Sequence, residues 1–351
     1  MAITLRDVAA RAGVSANTVS RALNKTGYVN RQTQLRIDAA VAELGYVPNA
    51  VASSLRSKKT QLFALLLTDI TNPFWTTIAR GVEDAAMEAG YAVILCNTDE
   101  DLAKEARYLD LLLRKRIDGM VIAPTVESTH ILQNLERRDV PFVLIDRLVN
   151  SVVADSVRGD SKSGAYDMTT HLLSTGYRRI GMLGGPLTIS TTEERVAGYT
   201  EALADAGIPA DSHLVLYGHF TEGWGYQATL ELMSRERRPD ALFAANNTIA
   251  LGVLEALRVM GLRVPQDVAV VCFDDTTQFS AGKFLTTAMQ PAREIGRVAI
   301  NLLLDRLADP KRDVQDIVLP TELVIRSSCG CNSAFEIGVA EVTRRSVRPG
   351  A

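Results

Sequence analysis

Apolar positions divide the chain into two regimes. Up to residue 45 they recur at helical intervals: Leu5, Val8, Ala9 and Ala12 fall at i, i+3, i+4 and i+7, and Val19, Ala22 and Leu23 mark a second inner face beyond Gly13. Thr4 stands where a cap is needed with Asp7 three residues on, Gly13 supplies a tight turn, Val14 an apolar plug, and Ser15 a cap for the second helix. The outer face of that helix is Ala16, Asn17, Thr18, Ser20 and Arg21. A third helix is expected over 31–44, ahead of Gly45, offering Leu35, Val41 and Leu44 to close a three-helix core. Two short helices across a glycine turn, with polar residues on the exposed side of the second, predict a helix-turn-helix.

From residue 61 the period changes to short apolar runs between amphipathic stretches. "LFALLLTDI", "YAVILCNT", "GMVIAPT" and "PFVLIDR" read as buried strands, separated by helices over 72–90, 103–116 and a third ahead of the last strand. A second set repeats the order: helices over 161–175, 193–206, 223–234 and 249–260 alternate with "RRIGMLGG", "HLVLYG", "DALFAAN" and "DVAVVCFDD". The expected fold is thus an N-terminal all-α helix-turn-helix domain followed by an α/β core of two lobes, each a doubly wound parallel sheet. A further helix over 295–308 follows the second set, so the chain must cross between lobes more than once.

Charge separates the same two parts. The 351 residues carry a net −3, yet residues 1–60 hold nine Lys and Arg against three acids, which leaves 29 bases against 38 acids in the remainder. A basic module on an acidic body is the asymmetry expected when one part alone meets a polyanion. No apolar run is long enough to cross a bilayer and no signal-like start is present, so no membrane partner and a cytoplasmic location are expected. Four cysteines fit a reducing compartment, and the Cys329-Gly330-Cys331 motif reads as too isolated for a metal site. No metal and no cofactor are therefore expected. Gly184-Gly185-Pro186 matches no phosphate-binding loop, no GxSxG is present, and His130, His171, His213 and His219 show no paired ligand spacing, which argues against an enzyme.

The stretch "TLRDVAARAGVSANTVSRALN", the following "YVNRQTQLRIDAAVAELGYVPNAVASSL" and the body behind them resemble the LacI/GalR family of bacterial transcription regulators over residues 3–330. The resemblance implies a helix-turn-helix domain at 1–47, a hinge helix and linker at 48–60, and a periplasmic-binding-protein-like core at 61–331. Within that core the first lobe is expected at 61–160 with 291–318 and the second at 161–290 with 319–331, ahead of a tail at 332–351. The implied function is repression of transcription from a palindromic operator on double-stranded DNA by a homodimer. A small-molecule effector, a sugar or sugar derivative, would control it from the cleft between lobes. The tail lacks the leucine heptads of a tetramer. A phosphocarrier protein acts as corepressor in some relatives, but no residue here supports one.

Residue types assign roles within that frame. Ala16, Asn17 and Arg21 can read base edges, since Asn suits adenine, Arg guanine and Ala a thymine methyl. Ser15, Thr18, Ser20, Asn24, Thr33 and Tyr46 are placed, as in the family, to hold phosphates. Leu55 stands where the family wedges a leucine into a minor-groove step, with Ala52 small enough for two hinge helices to approach. By resemblance and by position at strand ends, Asp146, Arg195, Asn246, Asp274 and Gln290 are the polar cleft residues, with Trp75 and Phe220 as aromatic walls. Carboxylates, amide and guanidinium suit adjacent hydroxyls, and an aromatic face suits the C–H side of a pyranose.

Three departures bear on the effector. Asn246-Asn247 stands where the family reads Asn-Asp, Cys272-Phe273-Asp274 where it reads Gly-Tyr-Asp, and Ile189 where purine-responsive members carry an arginine, although Thr191 matches. The last argues against a purine. A sugar-binding protein of a transport system would explain the lobes but not the first sixty residues.

Overall fold

The computed structural model describes residues 3–24, 26–47, 59–274 and 284–331. The chain forms two compact units, residues 1–61 and 62–351. The hinge expected at 49–56, with Ala52 and Leu55, and the tail beyond 331 lie outside the described residues.

In the first unit, α1 (Leu5–Ala12), α2 (Ala16–Asn24) and α3 (Arg31–Leu44) enclose Val8, Ala9, Ala12, Val19, Ala22, Ile37 and Ala40. The start of α1 is closed by the Asp7 carboxylate, which accepts from Thr4 N at 2.8 Å and Thr4 Oγ1 at 2.7 Å. Gly13 takes φ 65°, where a side chain would be strained, and the chain turns through Val14 N donating to Ala9 O at 3.0 Å. Ser15 Oγ accepts from Thr18 N at 3.2 Å and so caps α2. Leu35 does not join the core: it is 62% exposed. The stripe that turns inward on α3 is Ile37, Ala40, Val41 and Leu44, at i, i+3, i+4 and i+7, and Leu35 lies off it. Ser20 differs from the sequence reading too, being 5% exposed. It shares the i, i+3, i+4, i+7 row of Ala16, Val19 and Leu23 and accepts from Asn24 Nδ2 at 3.3 Å, so it is not on the outer face.

The second unit is built on two six-stranded sheets. The first orders its strands β11 (Asp316–Leu319), β5 (Asp155–Gly159), β4 (Phe142–Ile145), β3 (Gly119–Ile122), β1 (Leu62–Leu67) and β2 (Ala92–Asn97), all parallel. Phe63, Leu65 and Leu67 point to one face, under α4 (Pro73–Glu88) and α11 (Ala292–Ala308); Ala64 and Leu66 point to the other, under α5 (Leu102–Lys115) and α6 (Thr129–Glu136). Helices on both faces are why "LFALLL" is apolar throughout.

The second sheet orders β12 (Glu322–Val324), β10 (Thr286–Met289), β9 (Ala269–Phe273), β8 (Ala241–Ala244), β6 (Ile180–Gly184) and β7 (Val215–Tyr217). Its helices are α7 (Ser161–Ser174), α8 (Ser190–Asp205), α9 (Glu222–Met233) and α10 (Asn247–Val259). Unlike the all-parallel expectation, β12 runs antiparallel to β10, because the chain leaves β11 in one sheet and enters the edge of the other after only two intervening residues.

Glycines set how closely the helices pack. A Cβ on Gly252 of α10 would stand 2.0 Å from Glu222 O of α9, and one on Gly225 of α9 would stand 2.2 Å from Ile249 O. The same reciprocity joins Gly81 and Gly296, with 2.1 Å to Arg293 O and 2.3 Å to Ile78 O, across α4 and α11. The backbones touch where a methyl group would not fit. The chain passes between lobes three times, after β5, β10 and β11.

Candidate functional site

In the helix-turn-helix unit, α2 presents Asn17 and Arg21 as exposed side chains, with Ala16 and Thr18 half-buried beside them. Ser15 Oγ lies 2.8 Å from Thr18 Oγ1, and Asn24 Nδ2 donates to Ser20 O at 2.8 Å, so these polar groups also stabilise the ends of the helix they sit on. Thr33 follows the Asn30 cap, whose Oδ1 accepts Thr33 N at 2.8 Å, in the first turn of α3. Tyr46 packs half-buried against the core.

In the two-lobed unit, the strand ends converge on a cavity of about 360 Å³, within the range usual for small-molecule sites. Trp75, Asp146, Arg195, Phe220, Asn246 and Asp274 all line it. Gln290 stands behind them, 5% exposed, its Nε2 donating to Asp274 Oδ1 at 2.9 Å.

The two aspartates are equivalents in the two lobes. Asp146 directly follows β4 and Asp274 directly follows β9, and each takes φ 65°, a conformation that Asp tolerates better than most residues. Each backbone N–H is held by the neighbouring strand, Asp146 N donating to Val157 O at 3.0 Å and Asp274 N to Ala288 O at 2.9 Å. Burial pushes the Asp146 carboxyl up, against the pull of Arg147 and Arg195. Arg195, 3% exposed, donates to Ala245 O at 2.6 Å and lies 4.0 Å over the ring of Phe273. The flat face of the Phe273 ring thus carries that guanidinium.

Sequence reasoning missed several lining residues, Asp69, Asn72, Asp99, Glu100 and Arg147 among them. Their common signal was position, since each lies just beyond the C-terminal end of a strand or opens the next helix. Arg147 is the largest omission. It is 5% exposed and donates to both Glu100 oxygens, at 2.9 and 2.7 Å. Its Cζ lies 5.8 Å from the Trp75 ring and 5.5 Å from that of Phe220. The two aromatic walls therefore flank a guanidinium as well as the space for a ligand.

The lobes touch over this cavity. Asn72 and Asn247 exchange two side-chain hydrogen bonds, both at 2.9 Å, and Asn72 Nδ2 also donates to Thr248 Oγ1 at 3.2 Å. Leu148 N donates to Ser190 Oγ at 2.9 Å, and Arg158 pairs with Glu194 at 2.8 Å. The unit can thus enclose a polar ligand by joining two halves through hydrogen bonds that water can equally satisfy.

A helix-turn-helix and a two-lobed ligand-binding unit in one chain define a DNA-binding regulator that responds to a small molecule. Residues 4–49 match the family described as bacterial regulatory proteins, lacI family, and residues 60–327 match periplasmic binding proteins and sugar binding domain of LacI family. The chain is 36% identical over 329 residues to the HTH-type transcriptional repressor PurR of Photobacterium profundum, covering 93% of this chain and 98% of that one. It resembles the lac repressor dimer bound to operator and the anti-inducer ONPF with a TM-score of 0.82 and 28% identity, covering 94% and 99% of the two chains. It resembles the transcriptional regulator CelR–cellobiose complex with a TM-score of 0.71 and 34% identity, covering 93% and 99%. The chain belongs to the LacI family of bacterial transcription regulators.

Proposed function

We propose that this protein represses transcription as a homodimer on a palindromic operator and is controlled by a neutral carbohydrate held between its lobes. It acts by binding rather than by catalysis, in the cytoplasm, where its operator is. Asn17 and Arg21, with Ala16, are the base readers; Ser15, Thr18, Asn24, Thr33 and Tyr46 hold phosphates; Leu55 is the minor-groove wedge. A dimer is supported by exposed apolar residues of the first lobe: Leu95 of the edge strand β2 and Leu111 of α5, both 49% exposed, with Met87 of α4 at 70%.

The observation that carries the effector class is the charge of the cleft. Five carboxylates line it, those of Asp69, Asp99, Glu100, Asp146 and Asp274, against the guanidinium groups of Arg147 and Arg195. Arg147 is already paired with Glu100. Such a lining accepts hydrogen bonds from hydroxyl groups and repels phosphate and carboxylate ligands. Ile189, 4% exposed, adds no polar group for a base. The cellobiose seen in the CelR complex is of this chemical class.

The test is a thermal-shift panel of neutral sugars, sugar acids, sugar phosphates and purines. A true effector at a hundred times its dissociation constant adds about 2.7 kcal/mol of stability. The shift from a neutral sugar should vanish in Asp274→Ala, and the same sugar should change operator affinity in the unsubstituted protein. A hit confined to purines or phosphates would overturn the assignment.

A further inference from the structure

The end of the second lobe away from the cleft carries a side-chain cluster that DNA and effector binding do not use. After β12 the chain makes a one-turn 3-10 helix, Ser327–Cys329, and reverses at Gly330 with φ 80°. Ser328 Oγ donates to Val270 O at 2.6 Å and accepts from Thr286 N at 2.8 Å, which ties the turn to the beginnings of β9 and β10. The Tyr177 hydroxyl donates to Cys329 O at 3.1 Å. The Cys-Gly-Cys motif is therefore held on rigid elements.

His171, in the last turn of α7, completes it. Its Nε2 is 3.7 Å from Cys331 Sγ, and the ligand atoms of His171, Cys329 and Cys331 all lie within 4.8 Å of one another. Metal–sulfur and metal–nitrogen bonds of about 2.3 and 2.1 Å at the tetrahedral angle place sulfur and nitrogen about 3.6 Å apart. Cys329 is buried, whereas His171 and Cys331 are half-buried, so the open side of the triangle faces outward.

We propose that His171, Cys329 and Cys331 form a three-ligand site for a thiophilic metal ion such as zinc or monovalent copper, its remaining position open to an exogenous ligand. Two thiolates and an imidazole are the donor set that soft and borderline ions prefer over magnesium or calcium. The separation of 160 positions between His171 and Cys331 hid the site from motif reading, which saw an isolated CxC. The ion would bind α7 to the segment that follows β12. His171 stands ten residues beyond Ser161, the residue that meets Arg195 at the cleft, or about 15 Å along the helix. The metal would therefore fasten the second lobe without touching the effector.

The test uses the full-length, tag-free protein, reduced and stripped with a chelator, titrated with Co²⁺. Expected are one cobalt per protomer, thiolate-to-cobalt charge-transfer absorption with four-coordinate ligand-field bands, and displacement by one equivalent of Zn²⁺. Cys331→Ser and His171→Gln, both at half-buried positions, should each weaken binding by at least roughly tenfold. Cys96→Ala should leave it unchanged. Absence of the charge-transfer band, equal binding in Cys331→Ser, or oxidation of the two thiols to a disulfide that takes up no metal would each overturn the proposal.

Discussion

The paired amides of Asn72 and Asn247 make lobe closure a quantity that one substitution should change by a stated amount. Asn247→Ala removes both 2.9 Å bonds of the pair. Asn72 is not orphaned, because its Oδ1 still accepts Phe74 N at 3.0 Å and its Nδ2 still reaches Thr248 Oγ1. The loss between the lobes is then that of two neutral hydrogen bonds, about 0.5–1.5 kcal/mol each. Closure weakens by about 1–3 kcal/mol, and the ratio of open to closed molecules rises roughly 5- to 150-fold. Trp75 reports the change: it lines the cleft and the chain has only one other tryptophan, Trp224. In a Trp224→Phe background, acrylamide should quench Trp75 more strongly in Asn247→Ala than in Asn247→Asp, which keeps an acceptor for Asn72 Nδ2. Identical quenching in all three proteins would show that the pair does not hold the lobes together.

Other substitutions test the remaining parts. Arg21→Ala should relax discrimination by about 1–3 kcal/mol at one position of each half-site, read with single-base operator variants; an equal loss on every variant would make Arg21 a phosphate contact. Glu105 is fully buried, accepts from Thr125 and Ser128, and burial holds its carboxyl above the ordinary 4.5. The folded state therefore keeps a proton that the unfolded chain loses above that pH, and stability falls as pH rises through this window. Glu105→Gln should gain on the parent in urea melts as pH rises above the ordinary carboxyl range, and a difference independent of pH would refute the assignment. Gly252→Ala must separate α9 from α10 and should cost about 1–3 kcal/mol or more, seen in calorimetry as a lowering of about 2–4 °C per kcal/mol.

The helix-turn-helix and most strands were legible because their signal is periodic and local. Where a second stripe competed, as at Leu35 against Ile37, tertiary packing chose between them, and at Ser20 the polar side chain outweighed its inward spacing. The strand β5 was invisible as an apolar run because its burial is polar: Asp155, 1% exposed, binds Arg306 and Arg312 at 3.0 and 2.8 Å. The cleft residues found in advance were those placed by resemblance and by strand ends. Arg147 was missed because a buried arginine runs against expectation until Glu100, 47 residues earlier, is seen to hold it. The Asn72–Asn247 pair spans 175 residues and no local pattern could announce it.

The three crossings between lobes also govern the order in which the protein can be made. The first lobe's core needs Ala292, Ile295, Ala299, Ile300, Leu302 and Leu303 from α11, and its sheet needs β11 at Asp316–Leu319. On the ribosome, a nascent chain ending near residue 290 has every strand of the second lobe but β12, while the first lobe, begun 230 residues earlier, still lacks one wall. The lobe begun first is thus still open when the second lacks only its edge strand, its apolar face uncovered until α11 emerges, and a chain stopped before α11 leaves that face without its covering helix.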